Sequence, residues 1–229
     1  ISGCQEVAVS TATIQDVHQN PIYSLNGKDY NQPETVCGED YELVEMKDMC
    51  EFNPKGKKTH KGPYKLVKIK DIDNSNIINY DEIEETKVKD KNIHKYNDIL
   101  FSNVRPKSHK SIILTPSCIN NLDDICFTLP CIRVKKNTID PMYMFASIYP
   151  MLDTFEEKIC TGSSYPTFNI NQLENLKIPV PKNPEKIQHW VDKISQPYNE
   201  KNEKQTRIQE LEKTIQERIQ SICDNEDCE

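Results

Sequence analysis

Apolar residues come in short runs for most of this chain and in a heptad stripe near its end. Leu66-Val67-Lys68-Ile69-Lys70 alternates apolar and charged positions, predicting a half-buried strand within Tyr64 to Ile72. Ile99-Leu100-Phe101-Ser102-Asn103-Val104 follows the turn pair Asn97-Asp98 and predicts a buried strand, with Ile112-Ile113-Leu114 returning beside it. Ile125 to Val134 predicts a further strand interrupted by Pro130, and the apolar stretch Met142 to Leu152 predicts a buried helix. Nearer the start, Val7 to Ile14 predicts one strand, and Tyr41 to Gly56 a short strand or helical turn leaving through Pro54. Asp73 to Asn92 is polar, anchored by Ile77, Ile78 and Ile83.

The organising stretch is Thr161 to Pro181. Gly162-Ser163-Ser164 before Tyr165-Pro166 signals a turn. Asn171 with Glu174 three residues on predicts a capped, short helix. Ile178-Pro179-Val180-Pro181 then leaves room for a brief strand at a sheet edge. Beyond Pro184, Ile187, Ile194, Ile208, Ile215 and Ile222 share one heptad position, with Trp190 and Leu211 three residues later. Lys201 and Lys204 interrupt the stripe and Pro197 falls within it, so two pieces are expected, about 184–196 and 198–222, with a kink or break between. Such a stripe packs on the chain's own body or pairs with another helix or subunit; its length favours the second.

Composition sharpens this picture. A length of 229 residues allows one core plus an extended element, and 36% hydrophobic residues with a mean hydropathy of −0.72 point to a protruding part. No apolar run approaches the roughly 18 residues of a membrane span. The absence of an initiating Met and of a leader suggests that Ile1 lies inside a longer protein or follows a trimmed segment. Nine cysteines show no C-x-x-C pair and no His at metal-ligand spacing, so free thiols in a reducing, cytoplasmic setting are expected and no metal site. The net charge of −7 argues against nucleic acid, but its distribution does not. Residues 55–136 hold 17 Lys+Arg and 10 Asp+Glu, a net of +7, against −14 for the remainder. A basic middle can hold phosphates locally.

These segments, in this order and spacing, resemble one half of the DNA-specificity subunit of type I restriction-modification systems. Tyr41 to Gly56, with its Asn53-Pro54-Lys55-Gly56 end, resembles that family's opening segment. Leu66 to Ile72 resembles the following strand ending in Asp-Ile, and Asn97 to Pro106 resembles Gly-Asp-Ile-Leu-x-Ser-x-Val-Arg-Pro, with Asn97 in place of Gly. Thr161 to Pro181 resembles the closing turn and its Ile-Pro-x-Pro signature; Ile187 to Ile194 resembles the start of the conserved helix, where the usual Glu-Gln pair has become Lys186-Ile187-Gln188. The likeness covers about four fifths of the chain and one recognition domain, where the full subunit has two.

The resemblance implies a mixed α/β (α+β) target recognition domain at 39–183, long coiled-coil helices at 184–222, an acidic tail at 223–229, and at 1–38 a tail that could end an upstream methyltransferase domain. It implies a non-catalytic module that binds double-stranded DNA and directs an N6-adenine methyltransferase, a separate subunit or an upstream domain. S-adenosylmethionine would be held there, not in this chain. The alternatives are the C-terminal part of a single-chain methyltransferase or restriction enzyme, and a helix-mediated assembly protein that binds no DNA. Asn20-Pro21-Ile22-Tyr23 looks like the adenine methyltransferase Asn-Pro-Pro-Tyr but lacks its second proline and any preceding Gly-rich loop, so it reads as a turn. Tyr23 to Tyr30 loosely resembles the segment that closes such catalytic domains.

A base-modifying system must hold its duplex and find its sequence, which takes cations for phosphates and polar side chains for base edges. Three loops offer these: Lys57, Lys58, His60 and Lys61; Arg105, Lys107, Ser108, His109 and Lys110; and Ser163, Ser164, Tyr165 and Thr167. Arg105, followed by a rigid proline, is the leading candidate, for a phosphate or a guanine; an ion pair holding the strand end is its alternative. Ser163 and Ser164 serve equally well as turn formers.

Overall fold

Strands buried on both faces form the centre of this molecule, a computed structural model that describes residues 13–19, 37–54, 57–58, 64–72, 78, 83, 85–86, 91–92, 94–119, 122–160 and 165–223. In chain order these form α1 (Ile14–Gln19), β1 (Tyr41–Glu45), α2 (Met46–Met49), β2 (Cys50–Phe52), β3 (Lys57–Lys58), β4 (Tyr64–Val67), β5 (Glu85–Thr86), β6 (Lys91–Asn92), β7 (Ile99–Phe101) and β8 (Ser111–Ile113). There follow β9 (Ile125–Phe127), β10 (Cys131–Val134), α3 (Pro141–Ile148), α4 (Leu152–Lys158), β11 (Lys177–Pro181) and α5 (Pro184–Cys223). The class is mixed α and β with a long C-terminal helix.

The central sheet has the order β2-β10-β7-β8, with β10 antiparallel to β2 and β7, and β7 antiparallel to β8. The continuous apolar runs are explained by its two covered faces. Ile99, Phe101, Ile113 and Ile132 point into a core built with α3, α4, β11 and the first turns of α5. Leu100, Ile112, Leu114 and Cys131 point into a second core with Val67, Ile72, Ile78 and Phe127. That second core backs onto β5-β4-β9, in which β4 and β9 run parallel.

β1 and β11 pair antiparallel from Tyr41↔Pro181 to Glu45↔Lys177 and bring the two ends of the globular part together. The prolines of β11 are tolerated because, among the described residues, this sheet has two strands and β11 is an edge. The Lys182 amide bonds to the Asp40 carbonyl at 3.0 Å, and α5 starts beside this seam.

Several elements end sooner than the sequence suggests. β4 stops at Val67 because the Asp71 carboxylate accepts the Lys68 amide at 2.7 Å and turns the chain into a 3-10 turn. Most of the strand predicted at Val7 to Ile14 lies outside the described residues; Ile14 itself opens a helix and is 78% exposed. The predicted helix from Met142 to Leu152 is interrupted at Tyr149–Met151, where Pro150 has no amide to donate. The capped turn after residue 168 begins two residues early: Asn169 caps Asn171 at 3.0 Å and Gln172 returns to the Asn169 amide at 2.8 Å.

The predicted break in the C-terminal helix is absent. α5 runs through Pro197 as a single element of 40 residues, about 60 Å at 1.5 Å per residue. Anchors on both sides of the proline account for this. Val191 is buried, Ile187, Ile194 and Tyr198 pack on the larger core, and the Tyr198 hydroxyl reaches the Ile113 amide at 3.3 Å. Further along, Ile208, Leu211, Ile215 and Ile219 are 45–55% exposed.

One buried ion pair fixes the central sheet. Both Asp98 oxygens accept from Arg133 at 2.7 Å, and the Asp98 side chain is 1% exposed. Burial alone would push the Asp98 carboxyl up. His94, Arg133 and the Lys95 amide outweigh it and hold the carboxyl below its ordinary value. His94 stands 3.7 Å away, beyond hydrogen-bond reach, so we ascribe the effect mainly to Arg133 and Lys95. Because the folded value is depressed, this stabilisation is complete above the unfolded carboxylate range and lost as pH falls through the folded value. Asp98→Asn is expected to cost about 1–3 kcal/mol at neutral pH, because it removes the carboxylate that accepts two Arg133 donors, and to remove part of the acid sensitivity of unfolding. Urea melts of parent and variant between neutral and acidic pH check both.

Candidate nucleic-acid interface

β7 ends at Phe101, and the chain enters the segment that carries most of the predicted contacts. Ser102 donates its hydroxyl to the Val104 carbonyl at 2.6 Å and accepts the Val104 amide at 3.1 Å, which closes a tight corner. Arg105 follows in the left-handed region at φ 49°, then a 3-10 turn at Pro106–Ser108, then His109, also left-handed at φ 52°. The Ser102 amide bonds to the Lys110 carbonyl at 2.8 Å and closes the loop at its base.

This loop is paired with a second one from the other end of the domain. Val104 and Thr167 form an antiparallel bridge. The Arg105 amide donates to the Pro166 carbonyl at 2.8 Å and the Phe168 amide to the Asn103 carbonyl at 3.1 Å. The Asn103 side chain returns a bond to the Phe168 carbonyl at 3.1 Å. Beneath, Phe168 is 4% exposed, stacked on Phe101 at 6.0 Å and edge-on to Phe155 at 5.4 Å. Tyr165 is 66% exposed, and the Arg105 guanidinium lies 4.5 Å from its ring centroid. A buried aromatic below and backbone bonds between thus hold a cation and an aromatic ring at the surface.

The predicted residues therefore divide. Arg105, Lys107, Ser108, Tyr165 and Thr167 fall on this one composite edge, with all but the partly buried Thr167 exposed. His109 lies there too, its Nε2 2.7 Å from Asp153 Oδ1 and its ring 4.8 Å from that of Tyr149. Lys110 turns inward: its ammonium donates to the carbonyls of Ile69, at 3.4 Å, and Ile72. Lys57 and Lys58 form strand β3, paired with Asn92 and Lys91 of β6, rather than part of an open loop. His60, Lys61, Ser163 and Ser164 lie outside the described residues, as do 1–12, 20–36 and the acidic tail at 224–229.

Two other features bear on chemistry. His94, Asp98 and Cys131 bring an imidazole, a carboxylate and a thiol close together, a grouping that sequence spacing missed because Cys131 arrives from another strand. The donor set fits a metal poorly. Both Asp98 oxygens already hold Arg133, Oδ2 also accepts the Lys95 amide, and burial with the neighbouring carboxylate pushes the Cys131 thiol up, which keeps it neutral. A cleft of about 600 Å³ between α5 and the Thr115–Ser117 turn contains none of the loop residues. Its charged groups are Asp140 and Glu203, unsuited to an anionic ligand.

Comparison with known proteins adds the fold. No family model and no curated protein matches the sequence. Among solved structures, the chain is similar to the HsdS subunit from Thermoanaerobacter tengcongensis, at TM-score 0.51 and 16% identity over 83% of this chain and 50% of that one. It is also similar to a chain from a structure on complex assembly and conformational transition of the type I R-M system, at TM-score 0.50 and 17% identity over 83% of this chain and 49% of that one. The fold is that of these chains, and this chain spans about half their length.

Lys110 gives a test of how the loop is held. Lys110→Ala removes a charged donor from two carbonyls and is expected to cost about 1–3 kcal/mol in stability. Denaturant unfolding measures it; an unchanged midpoint would mean that the ammonium is not engaged in solution.

Proposed function

We propose that this chain is a sequence-specific recognition module for double-stranded DNA, non-catalytic itself, that directs an N6-adenine methyltransferase of a restriction-modification system to its site. One observation carries the reading: two loops about 60 residues apart are bonded into a single surface edge that displays Arg105, Lys107, Ser108 and Tyr165. Such an edge offers cations for phosphates and a planar donor group for bases. The basic middle of an otherwise acidic chain supports it, as does the fold shared with a type I subunit.

The catalytic partner is a methyltransferase subunit or an upstream domain, which holds S-adenosylmethionine. The outer half of α5 supplies an assembly surface. Ile208, Leu211, Ile215 and Ile219 make an exposed apolar stripe among charges, suited to a second helix from another copy or from another subunit. The module's setting is the cytoplasm; among the described residues no helix is long and apolar enough to cross a membrane.

Three outcomes are expected. Binding of a random duplex, read by mobility shift, weakens with salt; about four phosphate contacts give a slope of log affinity against log salt near −3.6. Replacing Lys107, the exposed lysine of that edge, by Ala flattens that slope by about one contact without changing sequence preference. Supplied with labelled S-adenosylmethionine and duplex, the isolated chain transfers no methyl group. Salt-independent binding would remove the phosphate account, and methyl transfer by this chain alone would make it an enzyme.

A further inference from the structure

Resting on the DNA reading above, we propose that His109 and Asp153 form a proton-linked contact with the duplex, in which phosphates draw a proton onto His109, and that Asp153 is its positioning residue. A carboxylate is out of place beside a surface that meets phosphates. The Asp153 side chain is nevertheless 60% exposed, and its Oδ1 lies 2.7 Å from Nε2 of His109, the residue after Ser108 on the recognition edge. A carboxylate only accepts, so Nε2 carries the proton of that bond. A second proton goes to Nδ1, which is buried and has no hydrogen-bond partner among the described residues. The pair carries one negative charge when the imidazole holds a single proton and none when it holds two.

The loop fixes the imidazole in this place. His109 has a left-handed backbone at φ 52°, a state that His adopts more readily than most side chains. Its amide donates to the Pro106 carbonyl at 2.8 Å, and its carbonyl accepts the Ser111 hydroxyl at 3.3 Å. Its ring lies 4.8 Å from that of Tyr149, which lies 6.1 Å from that of Phe145 in α3. The imidazole is thus held against the first turn of α4, where Asp153 sits. The other charged groups with described side chains on these elements are Glu156 of α4 and Arg105, Lys107 and Lys110 of the loop. Lys110 is turned inward to Ile69 and Ile72. Phosphates approaching this edge raise the energy of the negative pair and not that of the neutral one. Binding therefore takes up a proton, and by reciprocity a proton strengthens binding. The gain is present where His109 is charged and is lost as pH rises through the range in which imidazoles titrate.

The test titrates the full chain with a random duplex by calorimetry at constant salt, between about pH 6 and about pH 8, where imidazoles charge. Two buffers of different ionisation enthalpy count the protons taken up. The parent is expected to tighten by about threefold or more from the higher pH to the lower, within the limit of about tenfold per pH unit set by one proton, and to take up part of a proton on binding. His109→Gln keeps a donor for Asp153 and cannot become charged, so its affinity should not change over this range. Asp153→Asn keeps the shape and the bond and removes the negative charge, so at the higher pH it should bind about twofold or more tighter than the parent. If Asp153 served only to stabilise the first turn of α4, that variant would bind no better. A parent that binds no duplex at all would defeat the proposed function. A parent that binds without taking up a proton, a pH dependence that survives His109→Gln, or an Asp153→Asn variant no tighter than the parent would defeat this inference alone.

Discussion

The buried pair between Asp98 and Arg133 is the constraint on which the interface rests. It ties the residue before β7 to β10, with two bonds of 2.7 Å and an Asp98 side chain only 1% exposed. Backbone bonds reinforce it: the Leu114 amide reaches the Asp98 carbonyl at 2.9 Å, and the Asn97 amide the Leu114 carbonyl at 2.7 Å. With its start fixed between β8 and β10, the three-residue β7 can deliver Phe101 to the core and the Ser102–Val104 corner to the surface in a single register. A slip by one residue would exchange Leu100 with Ile99 and Phe101 between the two cores and turn the Arg105 loop away from Pro166.

A second closure works at the opposite end. β1 and β11 hold residues 41 and 181 in register, so the loop at 165–168, just upstream, is held at its end by the same seam that launches α5. Recognition edge and helix are thus joined through one small sheet and one core. The inner half of α5 belongs to that core through Val191 and Tyr198, while the outer half carries its apolar residues exposed. The joined loops and the exposed apolar residues of α5 are thereby parts of one frame.

Much of this was legible in the residues. Ile99-Leu100-Phe101 and Ile112-Ile113-Leu114 read as buried strands because continuous apolar runs need two covered faces, and the heptad stripe announced α5. The spacing of Asn97 to Pro106 and of the Ile-Pro-x-Pro segment also pointed to the fold. The rest depends on partners far away in sequence. Nothing local says that Lys110 folds back onto Ile69 and Ile72, that Thr167 pairs with Val104, or that Cys131 lands beside His94. Pro197 misled because helix breaking is a local rule, whereas the packing of Val191, Ile194 and Tyr198 outweighs one missing hydrogen bond. Lys57 and Lys58 read as loop because their partners, Asn92 and Lys91, lie 33 or more residues on in a polar stretch without a strand signal.

The central claim is that the joined loops, and not the helix, meet the duplex. Hydroxyl-radical oxidation with and without bound DNA, located by mass spectrometry, addresses it directly, because Tyr165 at 66% exposure and Trp190 of α5 at 43% are both open to attack in the free chain. The account predicts that duplex protects Tyr165 strongly and leaves Trp190 as reactive as before. Protection of Trp190 with Tyr165 unchanged would place the DNA on the helix and contradict it.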